Sequence, residues 1–249
     1  MRQKLIAGNW KMNGTLAENQ TRLTQLVSGL KASSASVAVC VPAPYFTQCQ
    51  SVLSGSDIQL GSQNLSEYSE GAYTGEISGS MLQDFGCQYA LVGHSERREL
   101  FAESSEQVAQ KFKAALNARI TPVLCVGETL EQREAGITEN IIADQISAVL
   151  AKVGIQGFSR AVIAYEPVWA IGTGKTASPE QAQSVHKAIR DQLAELDSDI
   201  AQNTQILYGG SVKPNNAVAI FAQADVDGAL VGGAALNAQD FIQICNAAS

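Results

Sequence analysis

One carboxylate in this sequence lies where a short apolar run ends and a loop begins. The composition of that loop is typical of a mobile segment that covers a site. Glu166 ends the run, and Pro167, which fixes its own φ and lacks a backbone donor, stiffens the start of the loop. Gly172 and Gly174 free the far end to move and bring N–H groups close to an anion. A base beneath a cover at 167–175 predicts chemistry that excludes water. Taken alone, Glu166 fits equally well as a polar residue that ends a strand.

A second group with acid–base chemistry is His94, one of two histidines in the chain. His94 begins a predicted helix, and the positive end of a helix dipole disfavours the protonated ring. A neutral imidazole there can donate a hydrogen bond. From the residues alone, the alternative is a histidine that only caps the helix. His186, in the middle of another helical pattern, is predicted to be structural.

Lys11 and Asn9 follow the first apolar run of the chain. A lysine is a compact cation that can interact with a phosphate or with another anionic oxygen. No other lysine follows a predicted strand beside an amide side chain, which favours a site role for Lys11. The alternative is an ordinary surface lysine.

Backbone amides near glycines are the candidate phosphate ligands. They belong to Gly172 in the loop, to Ser211 after the seventh apolar run, and to Gly232 and Gly233 after the eighth. Such amides hold anions through their N–H groups. Glycine pairs are also common in turns, so each pair alone is weak evidence. Their position after two consecutive runs strengthens the prediction.

Eight short apolar runs are spread along the chain, at 5–7, 37–41, 58–60, 89–92, 122–126, 161–165, 206–208 and 228–231. Most are continuous rather than alternating, which is typical of strands covered on both faces. Helical patterns lie between them, at 16–30, 103–116, 138–152 and 179–196, the last with Ser178 as its N-cap and Pro179 at its first position. We therefore predict an α/β protein with a (β/α)₈ barrel.

An open, doubly wound sheet is the main alternative, and the placement of polar residues argues against it. Polar residues gather after the runs, as in Asn9, Asn64, His94, Glu166 and Ser211. In barrels, the carboxyl ends of the strands form the face that carries the active site. Without a linker or a shift in composition, we expect one barrel domain over 1–249.

Composition excludes several classes of partner and site. The net charge of −7 disfavours nucleic acid and anionic membranes, although a small phosphorylated metabolite responds to local groups instead. Five cysteines without a Cys-x-x-Cys pair make a disulfide scaffold or a zinc site improbable. Cys125 is expected to line the site from behind. No apolar stretch is long enough to span a bilayer and no signal pattern is present, so a cytoplasmic location is expected.

Four segments together resemble the motifs of the triosephosphate isomerase family, in that family's order: GNWK at 8–11, VGHSERR at 92–98, AYEPVWAIGTGK at 164–175 and YGGSV at 208–212. The resemblance implies an isomerase of glycolysis and gluconeogenesis. Its members interconvert dihydroxyacetone phosphate and D-glyceraldehyde 3-phosphate without a cofactor or metal. Position 235 is Ala where many members have Ser, which removes a side-chain contact but leaves the amides.

The resemblance also implies roles for single residues. Glu166 matches the base, His94 matches the electrophile, Lys11 matches a residue that faces substrate, and Asn9 matches its support. Glu96 lies nearby and is assigned a proton-handling or orienting role.

The segment 64–77 has neither helical nor strand periodicity. Loops this long in compact domains usually have a function or are disordered. The resemblance implies a homodimer in which this loop inserts into a second subunit and Thr74 steadies that subunit's Asn9 and Lys11. A solvent-exposed loop is the alternative.

Two other functions are compatible with a phosphate-binding barrel. A Schiff-base aldolase needs a lysine within a strand, and none of the predicted strands has one. A binding protein without activity is expected to lose the base or the electrophile, and both are present. These comparisons favour the isomerase.

Overall fold

The computed structural model describes residues 2–30, 34–171 and 176–249. Among these residues, eight strands alternate with helices along the chain. The strands are β1 (Leu5–Asn9), β2 (Ser36–Val41), β3 (Ile58–Ser62), β4 (Tyr89–Val92), β5 (Thr121–Val126), β6 (Val162–Tyr165), β7 (Gln205–Tyr208) and β8 (Gly228–Val231). All eight predicted strands are confirmed, with ends that shift by one or two residues.

Eleven α-helices lie within the described ranges. They are α1 (Leu16–Gly29), α2 (Phe46–Leu53), α3 (Gly79–Asp84), α4 (Ser95–Leu100), α5 (Ser105–Asn117), α6 (Leu130–Glu134), α7 (Thr138–Val153), α8 (Pro179–Ala194), α9 (Ser198–Asn203), α10 (Pro214–Phe221) and α11 (Ala238–Ala247). Short 3₁₀ helices cover Ala43–Tyr45, Ile155–Arg160, Val168–Ala170 and Gly233–Leu236.

The strands form one closed, parallel barrel. Each strand pairs with the next in sequence, and β8 pairs with β1 in a register that places Gly228 beside Leu5. Closure confirms the (β/α)₈ fold and excludes the open, doubly wound sheet. The single-domain assignment over 1–249 stays a prediction.

The continuous apolar strands are explained by two separate layers of core. Along β1, Leu5 and Ala7 point into the barrel and Ile6 points outward to the helices. The interior also holds Cys125 on β5 and Leu230 on β8. Because both faces of each strand are buried, period-2 alternation is absent from the sequence.

Caps decide where two predicted helices begin. The Ser178 side chain accepts a hydrogen bond from the Gln181 N–H, Pro179 occupies the first turn, and α8 begins as predicted. Helix α5 begins two residues later than predicted, because Ser104 is its N-cap. Glu103 lies before that cap, where its carboxylate pairs with Lys111 and Arg97.

All five cysteines are free and buried. In the part of the chain that the structure describes, no helix has both the length and the apolar character that a membrane crossing requires.

Candidate active site

A cavity of about 630 Å³ opens at the carboxyl ends of the strands. Most of the predicted site residues line it: Asn9, Lys11, His94, Glu166, Ser211, Gly232 and Gly233. Glu96 lies beside this group, in contact with Lys11. Gly172 and the end of the predicted cover, 172–175, lie outside the described residues. The residues converge as predicted, and their individual roles stay predictions.

Glycines on the neighbouring strand ends make room for the backbone at Glu166. The Glu166 N–H donates to the carbonyl of Val126 at 2.7 Å, which continues the pairing of β6 with β5. A Cβ atom at Gly127 would lie 1.8 Å from the Glu166 carbonyl oxygen, and one at Gly209 would lie 3.0 Å from the Glu166 Cγ. Residues larger than glycine at these two positions would therefore displace Glu166.

The Glu166 carboxylate is buried, with 2% of the residue exposed. One of its oxygens accepts from the Ser95 backbone N–H at 2.9 Å, and the other lies 2.8 Å from His94 Nε2. Burial raises the pKa of Glu166, but the His94 ring and the Ser95 amide outweigh it, and the net direction is downward. The structure therefore holds an ionised carboxylate away from water.

His94 is the N-cap of α4. Its Nδ1 accepts a hydrogen bond from the Glu96 N–H at 3.2 Å, so a neutral ring with its proton on Nε2 satisfies both this contact and the one to Glu166. Burial lowers the pKa of His94, but the Glu166 carboxylate raises it, and the net direction is upward. The helix dipole and burial favour a neutral ring, and the adjacent carboxylate, which the sequence did not show, opposes them. The neutral state of His94 stays a prediction.

Lys11 adopts a left-handed backbone conformation, with φ at 52°. Side chains hold this conformation from two directions. The Asn9 Oδ1 accepts the Lys11 N–H at 3.0 Å, and Gln63 Nε2 donates to the Lys11 carbonyl at 2.9 Å and to the Cys40 carbonyl at 3.0 Å. The Lys11 ammonium pairs with Glu96 at 2.5 Å. Sequence analysis missed Gln63, although it directly follows β3 and so obeys the strand-end rule.

The predicted phosphate ligands come from the ends of two paired strands, β7 and β8. The side chain of Asn216 braces the segment around Ser211, because it donates to the Ser211 carbonyl at 3.1 Å and accepts from the Lys213 N–H at 2.8 Å. Lys213 and Asp240 also line the cavity. Neither residue was predicted to belong to the site. The position of Lys213, two residues after Ser211, could have indicated a site role, whereas no sequence signal indicated Asp240.

A buried cluster anchors the beginning of the predicted cover. Glu128 is fully buried, and its Oε1 accepts from Trp169 Nε1 at 2.9 Å, from the Tyr165 hydroxyl at 3.1 Å and from Arg133 Nη1 at 3.2 Å. The Arg133 guanidinium also lies 4.7 Å from the centre of the Trp169 ring. Glu128 follows β5, so the strand-end rule also applied to this unpredicted residue.

The remaining predicted positions lie outside the main cavity. His186 is fully buried and packs against Tyr165 and Tyr208, as expected of a structural histidine. Cys125 lines a cavity of about 290 Å³ that Glu166 also lines, and burial raises the pKa of its thiol. Thr74 is exposed on the loop at 64–77, which is aperiodic as predicted.

A second cavity, of about 300 Å³, adjoins the first, because Asn9, Lys11 and His94 line both. Its rim holds Met12 and Phe101, which are 94% and 67% exposed. Within residues 2–30, 34–171 and 176–249, no group of three or more His, Cys, Asp and Glu side chains is placed to hold a metal ion.

Comparison with known proteins agrees with this geometry. The sequence model of the family described as Triosephosphate isomerase matches residues 4–248. A relative of that name from Thiobacillus denitrificans is 57% identical over 249 residues, which cover all of both chains. Another of that name, from Dechloromonas aromatica, is 56% identical over the full length of both chains. A third, from Nitrosomonas europaea, is 57% identical over 99% of this chain and 98% of its own. The chain therefore belongs to the triosephosphate isomerase family.

Proposed function

We propose that this chain interconverts dihydroxyacetone phosphate and D-glyceraldehyde 3-phosphate by proton transfer through an enediolate. The observation that carries the proposal is the convergence of Glu166, His94 and Lys11 with the amides of Ser211, Gly232 and Gly233 around one cavity. A base, hydrogen-bond donors for a developing oxyanion and a phosphate site are the parts that this reaction needs.

Glu166 takes the proton from carbon in this proposal. To reach the substrate, its carboxylate must leave the Ser95 N–H and the His94 ring, the contacts that lower its pKa. Burial acts in the opposite direction and persists inside the site. The pKa of Glu166 therefore rises as it moves, and the carboxylate becomes a stronger base at the position where the proton is taken.

The carbon acid is weaker than a carboxylic acid by many pKa units, each of which costs about 1.4 kcal/mol. His94 and Lys11 lower this cost by donating to the enediolate oxygens, and one such donor typically contributes roughly 3 to 4 kcal/mol. When Glu166 moves away, His94 loses the carboxylate that raises its pKa and keeps the Glu96 N–H on Nδ1. The ring is then a neutral donor through Nε2. Asn9 and Glu96 position Lys11.

The segment 167–175, with the amide of Gly172, closes over the bound phosphate in this proposal. The Glu128 cluster supports it, because its hydrogen bond to Trp169 fixes the beginning of the segment, and Ile171 lines the cavity. Closure removes water, which strengthens the hydrogen bonds to the enediolate and prevents the loss of its phosphate by elimination.

The activity is tested by a coupled assay of the purified chain with D-glyceraldehyde 3-phosphate, with and without a chelator. We expect equal turnover in both. The same reaction in D₂O distinguishes proton transfer from hydride transfer, because an enediolate takes up solvent deuterium at carbon. Deuterium at carbon in the product would support the enediolate, whereas product without deuterium would show that Glu166 returns the same proton or that hydride is transferred. Absence of turnover would remove the isomerase function.

We also propose a homodimer in which the loop at 64–77 covers the second cavity of a partner and places Thr74 near the partner's Asn9 and Lys11. The exposed Met12 and Phe101 on the cavity rim support it, because burial of such side chains favours association. In the loop itself, Tyr68 and Tyr73 stack with their ring centres 3.9 Å apart and are partly exposed. A cytoplasmic location, expected from the sequence pattern, and a place in glycolysis and gluconeogenesis, implied by the family resemblance, stay proposals.

Sedimentation of the wild type and of Thr74→Arg, with activity measured on the same samples, tests the dimer. We expect a wild-type dimer and a variant that dissociates and loses activity together, because an unpaired guanidinium is costly to bury. Glu180→Arg, an exposed change on α8, is the control and should sediment as the wild type does. A fully active wild-type monomer would contradict the proposal.

A further inference from the structure

The charged side chains around the main cavity differ in whether they already form an ion pair or a hydrogen bond. Its lining includes Lys11, Glu166, Lys213 and Asp240 as charged side chains. The Lys11 ammonium is paired with Glu96 at 2.5 Å, and the Glu166 carboxylate is held by His94 at 2.8 Å. Among the described residues, the Lys213 ammonium has neither an ion pair nor a hydrogen bond. It is exposed and available to an incoming anion.

The backbone of Lys213 is fixed although its ammonium is not. Asn216 accepts the Lys213 N–H at 2.8 Å and donates to the Ser211 carbonyl at 3.1 Å, so one side chain ties the lysine to the predicted phosphate segment. Pro214 directly follows and restricts the backbone further. The flexible stem therefore extends from a fixed point on the phosphate side of the cavity.

The negative net charge of the chain gives an unpaired lysine at the cavity a role in attracting an anionic substrate. The chain carries a net charge of −7, and its substrate in the proposed reaction is a phosphate monoester with about two negative charges at neutral pH. The summed field therefore opposes the approach of the substrate. Because Lys11 is already neutralised by Glu96, an unpaired lysine on the rim supplies local attraction.

We infer that Lys213 is a substrate-binding residue that draws in the phosphoryl group and contacts it beside the backbone amides, so that it selects for dianionic substrates. The inference rests on the proposed function. Asp240 lines the same cavity with the opposite charge, and within the described ranges its carboxylate is not in an ion pair. If the local field governs substrate capture, removal of this carboxylate must have the opposite effect to removal of the Lys213 charge.

The test compares Lys213→Gln, Lys213→Arg and Asp240→Asn with the wild type, and measures kcat and KM across ionic strength. Lys187→Gln is the matched control, because it removes the same charge from the exposed face of α8, outside the cavity. At low salt we expect Lys213→Gln to lower kcat/KM by roughly threefold to tenfold through KM, and Asp240→Asn to raise it by about twofold. Both effects should shrink at high salt, because the Debye length falls to about 3 Å at 1 M. Lys213→Arg keeps the charge and should recover most of the kcat/KM that Lys213→Gln loses.

Binding of inorganic phosphate, measured by calorimetry on the same proteins, separates this inference from the proposed reaction. Weaker phosphate binding by Lys213→Gln, with Lys187→Gln unchanged, would support the inference even if the chain lacked isomerase activity. Equal effects of Lys213→Gln and Lys187→Gln on kcat/KM and on phosphate affinity would overturn it, as would a loss in kcat with unchanged KM.

Discussion

The two ends of the barrel both bury charged side chains, and they hold them in different ways. At the amino ends of the strands, Arg2, Arg190, Asp225 and Asp227 form a network that we call the N-terminal network. At the carboxyl ends, Glu166 is buried beside His94. Each region contains ionised groups that would be costly to bury alone.

The two regions differ in the groups that pair with the buried charges. Arg190 donates to Asp225 at 2.6 Å and Asp227 at 2.7 Å, and also to the backbone carbonyls of Ala201 and Thr204. Asp227 in turn accepts the Ile206 N–H at 2.9 Å. These groups are tied to backbone atoms of α9, of the residue before β7 and of β7 itself, and cannot change partners without disturbing the barrel.

Glu166 is held mainly by groups that can be exchanged. Its partners are one backbone amide, a histidine ring that is also the proposed hydrogen-bond donor for substrate, and a weak contact to the Ser95 hydroxyl at 3.4 Å. No guanidinium fixes it in the described structure. In the proposed mechanism, buried charge therefore serves stability in the N-terminal network and chemistry at Glu166, and substitutions at these two places should separate the effects.

The largest expected effect is the loss of the base. Glu166→Gln keeps the volume of the side chain and removes its ability to accept a proton, so kcat should fall by roughly 10²- to 10⁴-fold. The thermal midpoint should stay near that of the wild type, because the variant removes a buried charge along with its attraction to His94. Glu180→Gln, at an exposed position on α8, is the control and should keep full activity. Turnover within threefold of the wild type would exclude Glu166 as the base.

The next effect is at the opposite end and should appear in stability instead. Asp227→Asn leaves the Arg190 guanidinium, which is 4% exposed, without one of its two carboxylates. Breaking a buried pair in this way costs about 3 to 5 kcal/mol of unfolding free energy. Urea titration at one fixed protein concentration measures it, since association contributes to apparent stability.

Two controls sharpen that result. Asp191→Asn disrupts an exposed pair with Lys187 and should leave the urea midpoint unchanged. The kcat of folded Asp227→Asn should match the wild type, because Asp227 lies at the other end of the barrel from the cavity. A large loss of kcat in a fully folded sample would show that the two ends of the barrel are coupled. It would contradict the expected separation of stability at one end from activity at the other.

Much of this division could be predicted from the sequence. The strands were predicted from continuous apolar runs, which arise because both faces of each strand are buried. The site residues were predicted because they follow strand ends, as Lys11 and His94 do. The N-terminal network was not predicted. Arg190 and Asp227 are 37 positions apart in sequence and meet only when α8 packs beside the start of β8, and no local pattern indicates such a contact.

The carboxylate beside His94 was not predicted, for the same reason. Its helix cap could be read from the local sequence, but Glu166 lies 72 positions further on and comes within 2.8 Å only through the pairing of strands. The supporting contacts of Gln63 and Glu128 were also missed, because a side chain's hydrogen-bond partner depends on the register between strands. Local signals therefore predict which residues reach the site and leave open how they are held.

A smaller loss of rate is expected from the electrophile. His94→Gln keeps a neutral donor on a flexible side chain in place of a ring fixed by the Glu96 N–H. Removal of an aligned oxyanion donor typically lowers kcat by about 10²- to 10³-fold. Phosphate affinity, measured by calorimetry, should change little, because the ring is not a predicted phosphate ligand. Weak phosphate binding with normal kcat would assign His94 to binding instead of catalysis.

The smallest expected effect distinguishes the two histidines by the sign of their pH dependence. His186 adjoins the N-terminal network, with its Nδ1 3.1 Å from the Asp225 carbonyl. Burial lowers its pKa to about 4, and the Arg190 guanidinium acts in the same direction, while contacts with Asp225 and Ile206 oppose it. In the unfolded chain the ring titrates near pH 6.5. Below that pH the unfolded state binds a proton that the folded state does not, so stability falls from about pH 6.5 to about pH 4.

A shift of this size corresponds to roughly 3 kcal/mol at its full extent. His94 acts in the opposite sense, because its pKa in the folded chain is raised and it favours folding at low pH. Urea midpoints from pH 7.5 to pH 4.5 should therefore be compared in the His94→Gln background, with and without His186→Gln. We expect His186→Gln to lower stability at pH 7.5 and to flatten the decline below about pH 6.5, so that the two curves converge as the pH falls. Parallel curves would show that His186 gains its proton while folded, and that this end of the barrel admits a charge as readily as the active site does.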